Sequence, residues 1–339
     1  MNPTEKHLVI PVGYQTKMNV RETEIAIKLV KDQVEAQIAD TLNLTRVSAP
    51  LYVRPETGLN DNLSGVERPV SFDIQSINAE VEVVQSLAKW KRMALLRYGF
   101  QLGEGIYADM NAIRRDEELD NIHSVYVDQW DWELIISREQ RTTEMLKQTV
   151  LEIYRCLYRV ENHVLRLFSY LSRKLPTSLF FITSQELEDR YPHLTPKQRE
   201  DEICRQEKAV FILQIGDRLK SGGVHDGRAP DYDDWSLNGD LLFWYPTLDR
   251  ALEISSMGIR VDEKSMREQL IKADCSDRMD LEFHRMVLDG SLPYTIGGGI
   301  GQSRLCMFYL DKAHIGEVQA SVWPDEVHEI CRQNNIVLL

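Results

Sequence analysis

The stretch Gly297-Gly298-Gly299-Ile300-Gly301-Gln302-Ser303-Arg304 decides how the rest of the chain is read. Its four glycines leave bare backbone, and backbone without Cβ atoms lets a flat or charged ligand approach closely. A helix is expected from Gln302, which puts Arg304 in its first turn. A helix N-terminus favours anions through its unpaired N–H groups, and an arginine there can stack on a purine or pair with phosphate. The spacing is GxGxG, so the GxGxxG turn of a dinucleotide fold is absent. A plain glycine-rich turn that packs helix on strand fits the same residues.

Upstream, Asp240 and then Glu253-Ile254-Ser255-Ser256-Met257-Gly258-Ile259-Arg260 read as parts of two neighbouring strands. Two carboxylates so placed can share one Mg²⁺ with a nucleotide's phosphates, although surface acids are common in a chain with 53 of them. Ser124-Val125-Tyr126-Val127-Asp128-Gln129-Trp130-Asp131-Trp132-Glu133 alternates as a strand. Its period puts Gln129 and Asp131 on the face of Val125 and Val127, with Asp128 and the aromatics opposite. That is a strand whose inner face ends in a polar pocket. Ile113-Arg114-Arg115-Asp116-Glu117 reads as a strand end entering a loop, and Gln85 to Lys91 as a strand-to-helix junction that aims Lys91 back at the sheet.

The remaining pattern is expected to alternate little between strand and helix. Residues 20–43 form an amphipathic helix through Ile27, Val30, Val34, Ile38 and Leu42. Strands are expected at 51–53, 81–84, 241–245 and 251–259, and helices at 87–97, 139–171 and 277–289, with the last helix starting near Gln302. Thr183 with Glu186 and Thr195 with Gln198 are capping boxes. Residues 217–236 form a polar loop long enough to hint at function. Without βαβ alternation, the expected class is α+β, a mostly antiparallel sheet flanked by helices in a single domain over 1–339.

Composition bounds the function. The 339 residues carry 40 basic and 53 acidic side chains, a net charge of −13, which argues against gripping nucleic acid. With 43% hydrophobic residues the chain can bury a sizeable core. No apolar run approaches the ~18 residues of a membrane span, and Met1 to Gln15 does not read as a signal peptide. Five scattered cysteines without a CxxC pair read as free thiols of a cytoplasmic protein. No phosphate-loop, GxSxG or kinase motif occurs. His314-Ile315-Gly316-Glu317 matches half of a class I synthetase signature without its partner and is taken as chance.

In combination, Arg114 with its acidic neighbours resembles motif 2 of the class II aminoacyl-tRNA synthetases, and GGGIGQSR resembles their motif 3. Pro50 sits where motif 1 places its interface proline. The strings from Asn60-Asp61-Asn62-Leu63-Ser64-Gly65 through HSVYVDQWDWE, APDYDDW, LNGD and EISSMGIR to TIGGGIGQSRL narrow this to one family. They resemble the A type of aspartate–ammonia ligase, an ammonia-dependent asparagine synthetase. The resemblance implies ATP-dependent formation of β-aspartyl-adenylate and its displacement by ammonia, in a class II synthetase-like homodimer. It implies that Arg114 holds the α-phosphate, that Gly299 and Arg304 meet the nucleotide, and that Asp240 and Glu253 place Mg²⁺ and ATP. It further implies that Lys91 and Arg260 hold aspartate carboxylates, that Asp61, Gln129, Asp131 and Ser256 line the amino-acid site, and that Asp233, in a polar loop, helps admit or deprotonate ammonium. Ile113 replaces the aromatic found in motif 2 of many class II enzymes. An aspartyl- or asparaginyl-tRNA synthetase is the first rival, disfavoured by the acidic charge and by a core that begins near residue 20. A silent sensor of amino acid and nucleotide is the second; Arg114, Asp240, Glu253 and Arg304 together weigh against it, because a sensor would not need both metal ligands.

Overall fold

The computed structural model describes residues 8–63, 65 and 67–339, so Met1–His7 and Ser64 of the Asn60–Gly65 string lie outside the described residues. The first helix, α1 (Val20–Leu42), starts at a capping box: the Asn19 side chain accepts from Glu22 N at 2.9 Å, and the Glu22 carboxylate accepts from Asn19 N at 3.1 Å. Ala26, Val30, Val34 and Ile38 form its buried stripe, and Asn43, at φ 52°, ends it in the left-handed conformation. Each such Val or Ile stabilises the fold by about 1.5–3 kcal/mol on burial. Strand β1 (Leu44–Arg46) follows, then β2 (Tyr52–Val53), β3 (Ser71–Ile74) and β4 (Ala79–Val83), which make a small sheet in the order β2-β4-β3.

Helix α2 (Ala88–Arg97) leads to the long pair β5 (Gly105–Ile113) and β6 (Tyr126–Ile135). Helix α3 (Thr143–Leu167) is shorter than the expected 139–171. A 3₁₀ turn at Arg138–Gln140 precedes its Thr142 cap, and past Phe168 the chain folds back so that Lys174 N and Leu175 N donate to the Glu161 carboxylate. Next come β7 (Phe180–Thr183), α4 (Ser184–Arg190), α5 (Pro196–Glu207) and β8 (Ala209–Leu213), and both expected capping boxes form. Strands β9 (Asp233–Tyr245) and β10 (Arg250–Arg260) are longer than expected, and Asp233 opens a strand where a loop was anticipated, because it pairs in register with Arg260.

After α6 (Glu263–Lys272), the expected helix 277–289 is two pieces, a 3₁₀ turn at Ser276–Asp280 and α7 (Glu282–Leu288). Leu281 is extended between them and packs against Gly58. The glycine-rich stretch is itself a strand, β11 (Thr295–Gly301), feeding α8 (Gln302–Tyr309); a further helix, α9 (Asp325–Gln333), follows it, so α8 is not the last.

The main sheet runs β1-β5-β6-β11-β10-β9-β8-β7 and, among the described residues, is parallel only at the β1–β5 and β7–β8 edges. One face carries the main core, where α1, α3 and α8 cover Trp130, Trp132, Phe211, Phe243 and Tyr245. On the opposite face α2 covers the β5–β6 end, while α4 and α5 cover Ile212, Leu242 and Trp244. The middle of that face, between the two helix patches, is the floor of a cavity.

Candidate active site

The cavity has a volume of about 420 Å³, and the strand register dictates its floor. Asp131 on β6 stands opposite Gly299 on β11, Gly299 opposite Ser256 on β10, and Ser256 opposite Asp240 on β9. Residues directly opposite share a face, so this row crosses four strands on one side. One step along, Glu133 faces Gly297, and Gly297 faces Gly258. The glycines are required by this crowding. A Cβ at Gly299 would collide with the Gln129 side chain, and one at Gly297 with Glu133 and Arg260. A bulge between Glu253 and Ser255 corrects the alternation, so that Glu253, three residues before Ser256, joins the same face.

The charged groups on this floor are buried and paired. Lys91 Nζ donates to Asp131 Oδ1 at 2.6 Å, Trp132 O at 3.0 Å and Gly298 O at 3.1 Å, which uses all three of its protons. Burial lowers the Lys91 ammonium and the Asp131 charge opposes that. Arg260 donates to Glu133 from Nε at 2.9 Å and from Nη2 at 2.6 Å, and from Nη1 to Asp233. Two of its five N–H groups remain available. Burial pushes the Asp233 carboxyl up, with Glu133 adding to the push and Arg260 opposing it, whereas Arg260 holds Glu133 low against its own burial. Asp61 is raised by burial, with Lys89 opposing and Asp231 adding.

At the other end, Arg114 follows β5, its backbone N bonded to Val125 O at 2.9 Å and its buried Nε without an acceptor among the described residues. Arg304, in the first turn of α8, donates to Ile122 O at 3.3 Å and Glu253 O at 3.2 Å. Asp240 is pushed up to about 6 by burial, with Glu253 adding to the rise and Arg228 opposing it. Its Oδ1 has no donor, and the Glu253 carboxylate receives no hydrogen bond from the described residues. Two hard carboxylates with open oxygens suit Mg²⁺, which takes few carboxylates and completes its shell with phosphate and water. Among the described residues no group of three or more His, Cys, Asp or Glu is arranged to hold a metal by itself.

The sequence-derived residues converge on this one cavity: Asp61, Arg114, Gln129, Asp131, Asp233, Glu253, Ser256, Arg260, Gly299 and Arg304 line it. Lys91 and Asp240 do not. Lys91 lies beneath Asp131, and Asp240 lies behind Arg228.

Residues 21–335 match the family model described as aspartate–ammonia ligase. A protein of Ruminiclostridium cellulolyticum named aspartate–ammonia ligase is 62% identical over 333 residues, which cover 98% of this chain and 99% of that one. One of the same name from Lactobacillus johnsonii is 58% identical, covering 98% and 99%. The chain belongs to the aspartate–ammonia ligase family.

The architecture of this ligase is that of the class II aminoacyl-tRNA synthetases. The asparaginyl-tRNA synthetase of Pyrococcus horikoshii, complexed with asparaginyl-adenylate, superposes with a TM-score of 0.65 at 14% identity, covering 89% of this chain and 70% of that one. The aspartyl-tRNA synthetase of Entamoeba histolytica gives 0.58 at 15%, covering 88% and 59%.

Sequence reasoning about the ligase missed three charged residues. Glu133 closes the quoted strand motif and shares the phase of Gln129 and Asp131, so the alternation already marked it. Arg228 stands five positions before Asp233 in the loop singled out for its length, and Lys197 lies in the first turn of α5; both line the cavity. Their signal was a cation beside a mapped acid, visible only once the chain is folded.

Proposed function

We propose that this single catalytic domain, spanning 1–339, makes asparagine from aspartate and ammonia by consuming ATP, through a β-aspartyl-adenylate. One observation carries the reading: a single cavity has nucleotide-type groups (Arg114, Arg304, Glu253 and, behind them, Asp240) at one end and an amino-acid pocket of buried Asp61, Asp131 and Arg260 with half-buried Gln129 at the other.

A carboxylate is a poor acyl donor, and adenylation supplies it with a leaving group. Arg260 grips the aspartate α-carboxylate with its two spare N–H groups through charge-assisted bonds. Asp61, Gln129 and Asp131 surround the α-ammonium, and Ser256 lies between this pocket and the acid pair. Lys91 has no proton to spare for substrate, so its part is to hold Asp131 in place. The β-carboxylate then faces the α-phosphorus and attacks it, and pyrophosphate leaves. Arg114, with its free guanidinium N–H groups, stabilises charge at the α-phosphate, and Arg304 with Gly299 holds the nucleotide. Mg²⁺, when held by Asp240 and Glu253, neutralises phosphate charge. In the second half Asp233, whose carboxyl is raised, accepts a proton from ammonium, ammonia attacks the acyl carbon, and AMP departs.

The cytoplasm is the proposed location, with free thiols in agreement, and no helix among the described residues is long and apolar enough to cross a membrane. The working form is a homodimer joined through α1 and the Pro50 region, where Ile25, Leu51 and Tyr52 are exposed. The test is purified protein with aspartate, ATP, Mg²⁺ and ammonium: asparagine, AMP and pyrophosphate appear in equal amounts, faster at higher pH because free ammonia is the nucleophile. Equal or better use of glutamine, or ADP as product, would overturn the reading.

A further inference from the structure

Among the described residues, Arg228 is the one arginine in the cavity wall that is tied to a carboxylate of the nucleotide end. Its Nη2 donates to Asp240 Oδ2, Nη1 donates to Gly227 O at 2.8 Å, and Asp226 Oδ2 lies 3.6 Å away. Its Nε is buried and has no acceptor among the described residues. The side chain is 12% exposed and lines the cavity, whereas the Asp240 side chain behind it is 6% exposed and does not. Asp240 is carried by a central strand, and Arg228 by the loop that precedes that strand. Glu253, also in the cavity wall, has its carboxylate free of hydrogen bonds from the described residues and feels the charges of Arg304, Lys197, Arg228 and Arg114.

These facts fit a guanidinium in a provisional seat. A buried Asp240 carboxylate without a cation is costly, because water does not reach it, and half-buried Glu253 adds a second negative charge beside it. The Arg228 guanidinium neutralises Asp240, whereas Glu253 feels Arg304 and Lys197 before it; yet among the described residues Arg228 Nε and Asp240 Oδ1 stay unpaired, so neither partner is fully satisfied. The guanidinium on Asp240 Oδ2 stands between that carboxylate and the cavity, so a divalent cation reaching Asp240 from the cavity competes with it for the place. A triphosphate offers the displaced guanidinium a planar, bidentate anionic partner that water does not match.

We propose that Arg228 is a resident counter-ion that occupies Asp240 in the nucleotide-free enzyme, so that a divalent cation settles on Asp240 and Glu253 only when an incoming triphosphate draws the guanidinium away. This rests on the nucleotide-binding half of the proposed function and adds an order to it. Metal and nucleotide enter together, and metal alone binds weakly. The coupling is reciprocal, as any linkage between two ligands must be.

The experiment measures Mn²⁺ binding to the full chain without nucleotide, by the electron paramagnetic resonance signal of free Mn²⁺. The variants are Arg228→Met, Arg228→Gln, Arg228→Lys and the double variant Arg228→Met with Asp240→Asn, each checked for folding by its circular dichroism melt. The wild type and Arg228→Lys bind Mn²⁺ weakly. Arg228→Met and Arg228→Gln bind it at least about tenfold more tightly, within the 10–100-fold range by which groups around a metal site tune affinity. Asp240→Asn abolishes the gain. An unchanged affinity in a folded Arg228→Met or Arg228→Gln protein overturns the proposal. So does wild-type protein that binds Mn²⁺ as tightly alone as with ATP, a result that needs no variant. The asparagine assay separates the two readings. Product without the Mn²⁺ gain removes the counter-ion alone, and the Mn²⁺ gain without product removes the reaction and leaves the counter-ion.

Discussion

Single atoms decide what the cavity floor can be. Gly299 leaves room for Gln129, and a methyl there forces the amide end of that flexible side chain out of its place, a local strain that costs the fold little. Because that strain falls on the amino-acid pocket, Gly299→Ala should lower kcat/KM for aspartate by roughly tenfold or more with a small change in melting temperature. Steady-state kinetics beside a thermal melt check it, and an unchanged kcat/KM would contradict the floor described here. Arg114→Ala and Arg304→Ala should each lower kcat by about 10²–10³, the usual loss when a donor aimed at developing charge is removed. A folded variant with near-normal kcat would remove that residue from its role. At this scale the sequence was informative where chemistry follows periodicity. Gln129 and Asp131 share a phase, and Arg304 follows a glycine run. It was uninformative where the partner comes from elsewhere in the chain. Nothing near Lys91 announces that its protons are consumed by Asp131 and two carbonyls, and nothing near Asp240 announces Arg228.

Elements carry the next level of control. The bulge in β10 is what brings Glu253 into line with Ser256 and Asp240, and bulges are written in pairing, not in local composition. The same holds for the ends of α3 and the break before α7, which are fixed by Glu161 catching two N–H groups and by Leu281 packing on Gly58. Strand and helix identities were legible because the apolar phase is strong in α1 and β6. The turn at Ile315–Glu317 gives a pH test. His314 Nδ1 accepts from Gly316 N at 3.0 Å, the ring sits 4.6 Å from Trp323, and burial lowers its pKa to about 4. The folded value lies below the ordinary 6.5, so the unfolded chain binds the extra proton first. Stability from this group is therefore intact above pH 6.5 and is lost as pH falls toward 4. Between pH 7 and 5 the loss amounts to about 2 kcal/mol. His314→Gln should lose that much less over the same interval in urea titrations. Equal losses in both proteins would show that His314 is not held neutral.

Over the whole molecule, one sheet face is a continuous core and the other is covered at two ends, which leaves the site in the gap. This arrangement follows from topology, with β11 inserted between β6 and β10, and no local pattern gives that order. The order of the arginine and glycine motifs did give the class. Light scattering at micromolar concentration should report twice the 39.3 kDa of the chain, and a monomer would refute the proposed α1 interface. In the proposed reaction the β-carboxylate of aspartate lies toward the α-phosphate while Arg260 holds the other end. Aspartate labelled with ¹⁸O only in its β-carboxylate, turned over with ATP and ammonium, tests this directly by mass spectrometry of the AMP formed. One ¹⁸O should appear in AMP from that substrate and none from aspartate labelled in its α-carboxylate. Label in AMP only from the α-labelled substrate would contradict it and would place aspartate in the pocket the other way round.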